Sequence, residues 1–313
     1  WYKQRSQTGH HRMFDTSRGL SVELYPDLTA ADSSATYFNN QQANSFDIIA
    51  NDSATNTSGV TFANWQWKAN GGTTASNTSG TITSTVQANQ DAGFSIVTYT
   101  GTGANATVGH GLGVIPDLVI YKNRIDGGAS GATNGNWIVQ SSLFAVDQFM
   151  TLNTTAAVGT DTGYFRGVRP SSTVLTLGNY NSNNGSNDNL VAYAFASKQG
   201  YSKFGKYEGN SNVNGPFIYT GFKPAFVMVK PIDIAEHWVM MDSTRDEYNG
   251  GGTPYVFANE NEAETSAYER LDFLSNGFKI RVSGNNWNPS STVIYMAFAE
   301  NPFVAGGVPT TAR

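Results

Sequence analysis

The sequence predicts an all-β chain made of tandem antiparallel β-sandwich domains, jelly-roll or lectin-like in kind, with Asn/Gly-rich loops. Three observations predict it. The 313 residues include 33 glycines and 31 asparagines but only 12 leucines, so the residues that lose least entropy in a helix are scarce. Short apolar runs with period-two alternation are separated by Gly and Asn turns, the pattern of half-buried strands. Three such runs recur in the same order roughly 100 residues apart, the mark of a duplicated module. Helical bundles and coiled coils are thereby excluded. With 39% hydrophobic and 12% aromatic residues the chain can still fill a core, which excludes wholesale disorder.

The elements follow in order. Pro116-Asp117-Leu118-Val119-Ile120-Tyr121-Lys122 matches Pro224-Ala225-Phe226-Val227-Met228-Val229-Lys230. Each reads as a buried strand entered through a proline, whose missing N–H is harmless at the first strand position, and closing on lysine. Asn136-Trp137-Ile138-Val139 matches His237-Trp238-Val239-Met240, and Leu190–Ala196 matches Val293–Ala299. Part of a third copy stands at the N-terminus: His10–Arg18 lines up with His237–Arg245, and Phe62–Lys68 with the closing strand. This copy lacks the Pro-led strand, so its opening strands are expected upstream of Trp1. The expected organisation is therefore a partial repeat over 1–70, a linker or edge strand over 71–91, repeat domains over 92–200 and 201–305, and a tail over 306–313.

Within the repeats, Phe94–Tyr99 alternates as a strand and Lys203–Gly209 opens the last copy at the matching place. Leu271–Arg281 reads as two strands around an Asn-Gly hairpin turn. Ala263–Arg270 is expected to form one helical turn, with nothing else helical. Trp137, Trp238, Tyr193, Phe195, Met296, Phe298, Trp65 and Trp67 are expected in the repeat cores.

The chain carries a formal charge of -5, a pI near 5.3 and no basic block, which argues against nucleic acid and anionic membranes as partners. No apolar run approaches the roughly 20 residues of a membrane helix. Without cysteine, disulfides and thiolate metal sites are closed.

Catalytic arrangements find no support. No strand carries the paired carboxylates of glycoside cleavage; Glu260, Glu262 and Glu264 read as a solvated loop, and no Gly-x-Ser-x-Gly elbow occurs. His10, His11, His110 and His237 show no ligand spacing. Gly101, Gly103, Gly109, Gly111 and Gly113 precede a strand rather than a phosphate-binding helix, so they read as turn and bulge positions. No enzyme, metal or cofactor is expected. Candidate ligand-binding residues are Asn179, Tyr180, Asn183, Asn184 and Asp188, in an Asn-rich surface loop whose amides and ring suit sugar hydroxyls, together with Asn286 and Trp287, the tryptophan expected to be most exposed. Arg18 and Arg245, three residues after Asp15 and Asp242, are expected to clamp strand ends.

With these blocks in view, the chain resembles a family of tailed-bacteriophage virion proteins, tail-fibre-like chains of marine phages. The resemblance rests on Gly109-His110-Gly111-Leu112-Gly113, Pro116 to Asn123, Gly200-Tyr201-Ser202-Lys203-Phe204-Gly205, the closing Tyr295 to Phe303, and the terminal Thr311-Ala312-Arg313. It implies a virion structural component of a tail or fibre, with a role in assembly or host attachment. The expected partners are copies of itself, as a trimer, other virion proteins and a host surface glycan. The alternatives are a polysaccharide depolymerase on the same scaffold and a carbohydrate-binding surface lectin.

Overall fold

The computed structural model describes residues 1–39, 45–49, 54–125, 135–246 and 249–302; the tail expected over 306–313, with Phe303 and Thr311–Arg313, lies outside them. The chain is nearly all β, arranged in several antiparallel sheets. The described residues divide into two compact units: those within 1–153, 160–195 and 259–263 form the first, and those within 154–159, 196–258 and 264–302 the second. Among the described residues no helix is long and apolar enough to cross a membrane.

The first unit begins with short strands: β1 (Tyr2–Gln4), β2 (Met13–Asp15), β3 (Gly19–Leu24), β4 (Ser33–Ser34), β5 (Phe38–Asn39), β6 (Asp47–Ile48) and β7 (Phe62–Asn64). They pair as β1-β7, β2-β3-β4 and β5-β6. After them come β8 (Ala75–Asn77), β9 (Ser84–Asn89), β10 (Phe94–Thr100), β11 (Ala106–Gly109), β12 (Leu118–Asn123), β13 (Ile138–Ser141), β14 (Gln148–Thr151), β15 (Gly159–Thr160), β16 (Val174–Leu177) and β17 (Asn189–Phe195). An eight-stranded sheet has the order β15-β14-β13-β12-β17-β10-β9-β8, and β11 pairs with β16. The segment expected as linker or edge strand supplies β8, at the sheet edge, and β9, inside it.

Polar contacts join the N-terminal segment to the eight-stranded sheet and its adjoining residues. Trp137 Nε1 donates to the Tyr25 carbonyl at 2.9 Å, Thr16 Oγ1 to Gln87 Oε1 at 2.8 Å, and Arg124 pairs with Asp32 at 2.6 Å. Trp137 is fully buried and stacks on Tyr193 at 6.4 Å between centroids.

The second unit contains β18 (Ser202–Glu208), β19 (Phe217–Tyr219), β20 (Pro224–Pro231), β21 (Val239–Asp242), β22 (Tyr255–Phe257), β23 (Leu271–Leu274), β24 (Gly277–Ile280) and β25 (Thr292–Ala299). A five-stranded sheet has the order β18-β25-β20-β21-β22 and a three-stranded sheet β19-β24-β23. One apolar core draws alternate residues from both: Val227, Val229, Val239, Met241 and Tyr295 from the larger, Ile218, Leu271, Phe273, Phe278 and Ile280 from the smaller. Period-two alternation sends these side chains to a shared interior. The order β14-β13-β12-β17-β10 in the first unit matches β22-β21-β20-β25-β18 in the second, strand for strand in chain sequence.

The core expectations fall as follows. Trp65, Trp238, Tyr193, Phe195, Met296 and Phe298 are buried like Trp137, while Trp67 is partly buried, edge-on to Phe195 at 6.3 Å. The helical expectation needs correction. Residues 263–270 are irregular, held by a bridge from Tyr255 to Thr265. Helical turns occur instead at α1 (Thr162–Phe165), capped by Asp161 accepting from the Gly163 N–H, and α2 (Asn181–Asn184), within the stretch read as a loop.

Candidate functional site

The two candidate loops are one structural device used twice. In the first unit, Asn184 is buried just after a turn from Tyr180, and its side chain joins three backbone segments. Its Oδ1 accepts the Thr102 N–H at 2.9 Å, and its Nδ2 donates to the Gly178 and Ala104 carbonyls at 2.7 and 2.6 Å. In the second unit, Asn288 does the same. Its Oδ1 accepts the Asn210 N–H at 2.8 Å, and its Nδ2 donates to the Val282 and Asn212 carbonyls at 2.8 and 2.7 Å. The backbone agrees: Gly103 N–H donates to the Asn184 carbonyl and Ser211 N–H to that of Asn288. Both donors have positive φ, 68° and 51°. The preceding residues match too, since the Tyr99 hydroxyl donates to the Asn183 carbonyl at 2.7 Å and the Tyr207 hydroxyl to the Trp287 carbonyl at 2.5 Å. Burial raises the pKa of both tyrosines, which therefore remain neutral donors.

This geometry corrects two expectations. Asn183 and Asn184 are fully buried, and Asn183 Nδ2 donates to the Tyr164 carbonyl at 2.9 Å, so these amides face no solute. Trp287, expected exposed, is 4% exposed: Tyr255 meets it edge-on at 4.9 Å and the Arg270 guanidinium lies 5.0 Å from its ring. Asp188 holds Asn123 Nδ2 at 2.6 Å, and Asn286 Oδ1 accepts the His237 N–H at 2.9 Å. Of the candidate set, Asn179 and Tyr180 remain at the surface. The Tyr180 ring covers Gly163 and its hydroxyl donates to Asp161 at 2.9 Å.

The histidines have local partners. His110 is fully buried; its Nδ1 accepts the Leu112 N–H and its Nε2 faces the Ser171 carbonyl at 3.2 Å, which makes Nε2 the protonated nitrogen. Burial lowers its pKa. His10 contacts Asp27 at 2.7 Å, His11 accepts from Trp1 Nε1 at 2.8 Å, and His237 stacks on Phe257 at 4.1 Å. Among the described residues no group of three His, Cys, Asp or Glu side chains is placed to hold a metal. An open depression of about 510 Å³ is lined by Lys68, Asn70, Gln90 and Asp91; Gln90 already donates to the Gly111 carbonyl.

The clamps stand at the strand ends. Asp15 pairs with Arg18 at 2.5 Å and Asp242 with Arg245 at 2.6 Å; Glu264 of the acidic run also pairs with Arg245. Sequence reasoning missed the burial of the lysines that close the two Pro-led runs and of Lys3 on β1. Lys122 and Lys230 are fully buried and Lys3 nearly so. Their ammonium groups donate to carbonyls of distant segments: Thr29 for Lys122, Thr155 for Lys230 and Asn261 for Lys3. The registers agree, Lys3 facing Ala63, Lys122 facing Val191 and Lys230 facing Ile294. The signal was the lysine ending each apolar run, where a solvated end would have been the ordinary reading.

Fold and loops together define a nearly all-β protein of antiparallel sheets whose long loops are pinned from inside by asparagine amides. The chain belongs to the family described as a domain of unknown function, DUF7483, whose profile matches residues 1–302. No curated protein and no solved structure matches it.

Proposed function

We propose that the chain is a non-enzymatic structural protein of a bacteriophage virion, part of a tail or fibre, with a role in host attachment. Its modules are read as tandem sandwiches of the jelly-roll or lectin-like kind, assembled as a homo-oligomer, a trimer by preference, and exposed outside the cell after assembly. The observation that carries this reading is the recurrence of one strand order together with one Tyr–Asn loop hub in both units. A duplicated module whose loops are fixed by buried amides offers binding surface without an ordering cost at the moment of contact. The low charge content, 14%, suits a particle surface that avoids nonspecific ionic adhesion.

Immunogold electron microscopy with antibodies to the chain tests the reading. Label on the tails or fibres of tailed particles is expected; label confined to the envelope of uninfected cells would replace it with a cellular lectin.

A further inference from the structure

We propose that the outer face of the three-stranded sheet in the second unit binds an anionic saccharide, one bearing uronic acids, through Phe217 and Tyr219. The proposal rests on the attachment reading for its biological setting and on the following geometry for its chemistry.

On β19, Ile218 enters the core while Phe217 and Tyr219 stand on the opposite face, 46% and 59% exposed. Two residues along a strand separate their origins by about 6.7 Å. Facing Tyr219 across the ladder is Gly277, and facing Phe217 is Lys279. A side chain at Gly277 would strike the Ile218 carbonyl oxygen first and then reach the Phe217 ring, so glycine keeps that position bare beside the rings. Flat aromatic faces bordered by hydrogen-bond donors accept the apolar face of a sugar ring while the donors take its oxygens.

The charges choose the sugar. Lys203 Nζ lies 5.3 Å from the Tyr219 ring centre and donates to the Tyr219 carbonyl, and Lys279 Nζ donates to the Gly215 carbonyl at 2.6 Å. An ammonium has three donors, so neither is exhausted by its carbonyl. The acid in this row, Asp272, is neutralised by Arg281 at 2.5 Å. Glu269 is exposed, and a hydrogen bond with Asp272 raises its pKa. Two lysines thus flank the ring pair on a chain of net charge -5, which favours a carboxylate-bearing ligand.

Edge pairing with another strand is disfavoured here. β19 has three residues, and the Lys203 ammonium caps its Tyr219 carbonyl; charged side chains at short edges block strand addition. The corresponding strand of the first unit, β11, carries no ring, and residues Thr81 and Ile82 bond to its Thr107.

Affinity electrophoresis of the full chain through gels containing polygalacturonate, alginate or hyaluronate, with dextran as the neutral control, tests the site. Retardation by at least one acidic polymer and not by dextran is expected. Tyr219→Ala and Lys279→Gln, checked for an unchanged melting temperature, are each expected to weaken it about tenfold, the scale of one aromatic or charged contact. Equal retardation by dextran, retardation by none of the acidic polymers, or full retention in both variants overturns the proposal. So does a wild-type dimer in sedimentation velocity that Tyr219→Ala abolishes, which would assign the face to a second copy. Cell adsorption separates the two readings. Equal adsorption of wild type and Tyr219→Ala overturns the site and leaves attachment standing. Adsorption by neither fails attachment, and the gels still decide the site.

Discussion

The Tyr193 hydroxyl donates to Asp15 Oδ2 at 2.7 Å, joining the end of β2 to the middle of the eight-stranded sheet. Both residues are buried. Burial alone would raise the Asp15 pKa, but the Arg18 charge and the Tyr193 hydroxyl outweigh it and hold the carboxyl below its usual 3.8. Tyr193→Phe is expected to destabilise the first unit by about 1.5–3 kcal/mol, the range for a hydrogen bond to a charged group. A carboxylate held low contributes stability that is present above its unfolded pKa and lost as pH falls through the folded one. Urea titrations should therefore show wild type losing stability below pH 3.8 and Tyr193→Phe losing less there. An unchanged midpoint at neutral pH would contradict this account.

The asparagine hubs predict matched losses. Asn184→Ala leaves the Thr102 N–H and two carbonyls without their partner, and Asn288→Ala does the same to Asn210, Val282 and Asn212. Orphaned buried groups cost about 1–3 kcal/mol each before water enters, so each variant should lose about 3 kcal/mol or more. Hydrogen exchange at Thr102 in one and Asn210 in the other should accelerate by at least about a hundredfold, the equivalent of roughly 2.7 kcal/mol. Protection retained at both amides would show that the hubs are incidental.

Lys230 gives a pH dependence of opposite sign. Burial lowers its pKa from 10.5 to about 8, against the pull of Glu236. Between these values the unfolded chain holds the proton and the folded chain does not, so stability rises with pH across the window. Below pH 8 the penalty is complete, on the order of 3 kcal/mol. Above pH 10 the buried tyrosines, raised by burial, reverse the trend, because the unfolded chain loses those protons first. Lys230→Met should flatten the rise in urea midpoint between pH 8 and 10; an equal rise in both proteins would assign it to another group.

Much of this architecture was legible because strands announce themselves locally. Pro116 and Pro224 open apolar runs, alternation marks Phe94–Tyr99 as a strand, and the three-residue spacing after β2 and β21 gives Asp15–Arg18 and Asp242–Arg245. The hubs were not legible. Asn184 stands in an Asn-rich run and Asn288 between Trp287 and Pro289, so local composition gives them nothing in common. Their partners Thr102 and Asn210 lie 82 and 78 residues away. Trp287 misled for the same reason: its polar neighbours suggest solvent, while Tyr255 and Arg270 cover it from elsewhere in the chain. Phe217 and Tyr219 carry no signal of their own in the sequence; only the burial of Ile218 between them fixes the face they occupy.

A last prediction turns on close backbone approach at the hubs. At Gly101 a Cβ would strike the Gly185 carbonyl oxygen, and at Gly209 that of Pro289; neither has positive φ, so sterics alone demand glycine. Carbonyl oxygens held in a hydrogen-bonded loop cannot swing aside as a side chain would, and backbone shifts of this kind cost about 1–3 kcal/mol. Gly101→Ala and Gly209→Ala should each destabilise by that amount. Gly251 has open space around it and no positive φ, so Gly251→Ala should be neutral or stabilising by up to about 1 kcal/mol through the unfolded chain's reduced entropy. Thermal melts of the three variants decide it. If Gly251→Ala were as damaging as the other two, the cost would belong to the general loss of glycine flexibility and not to the contact at the hubs.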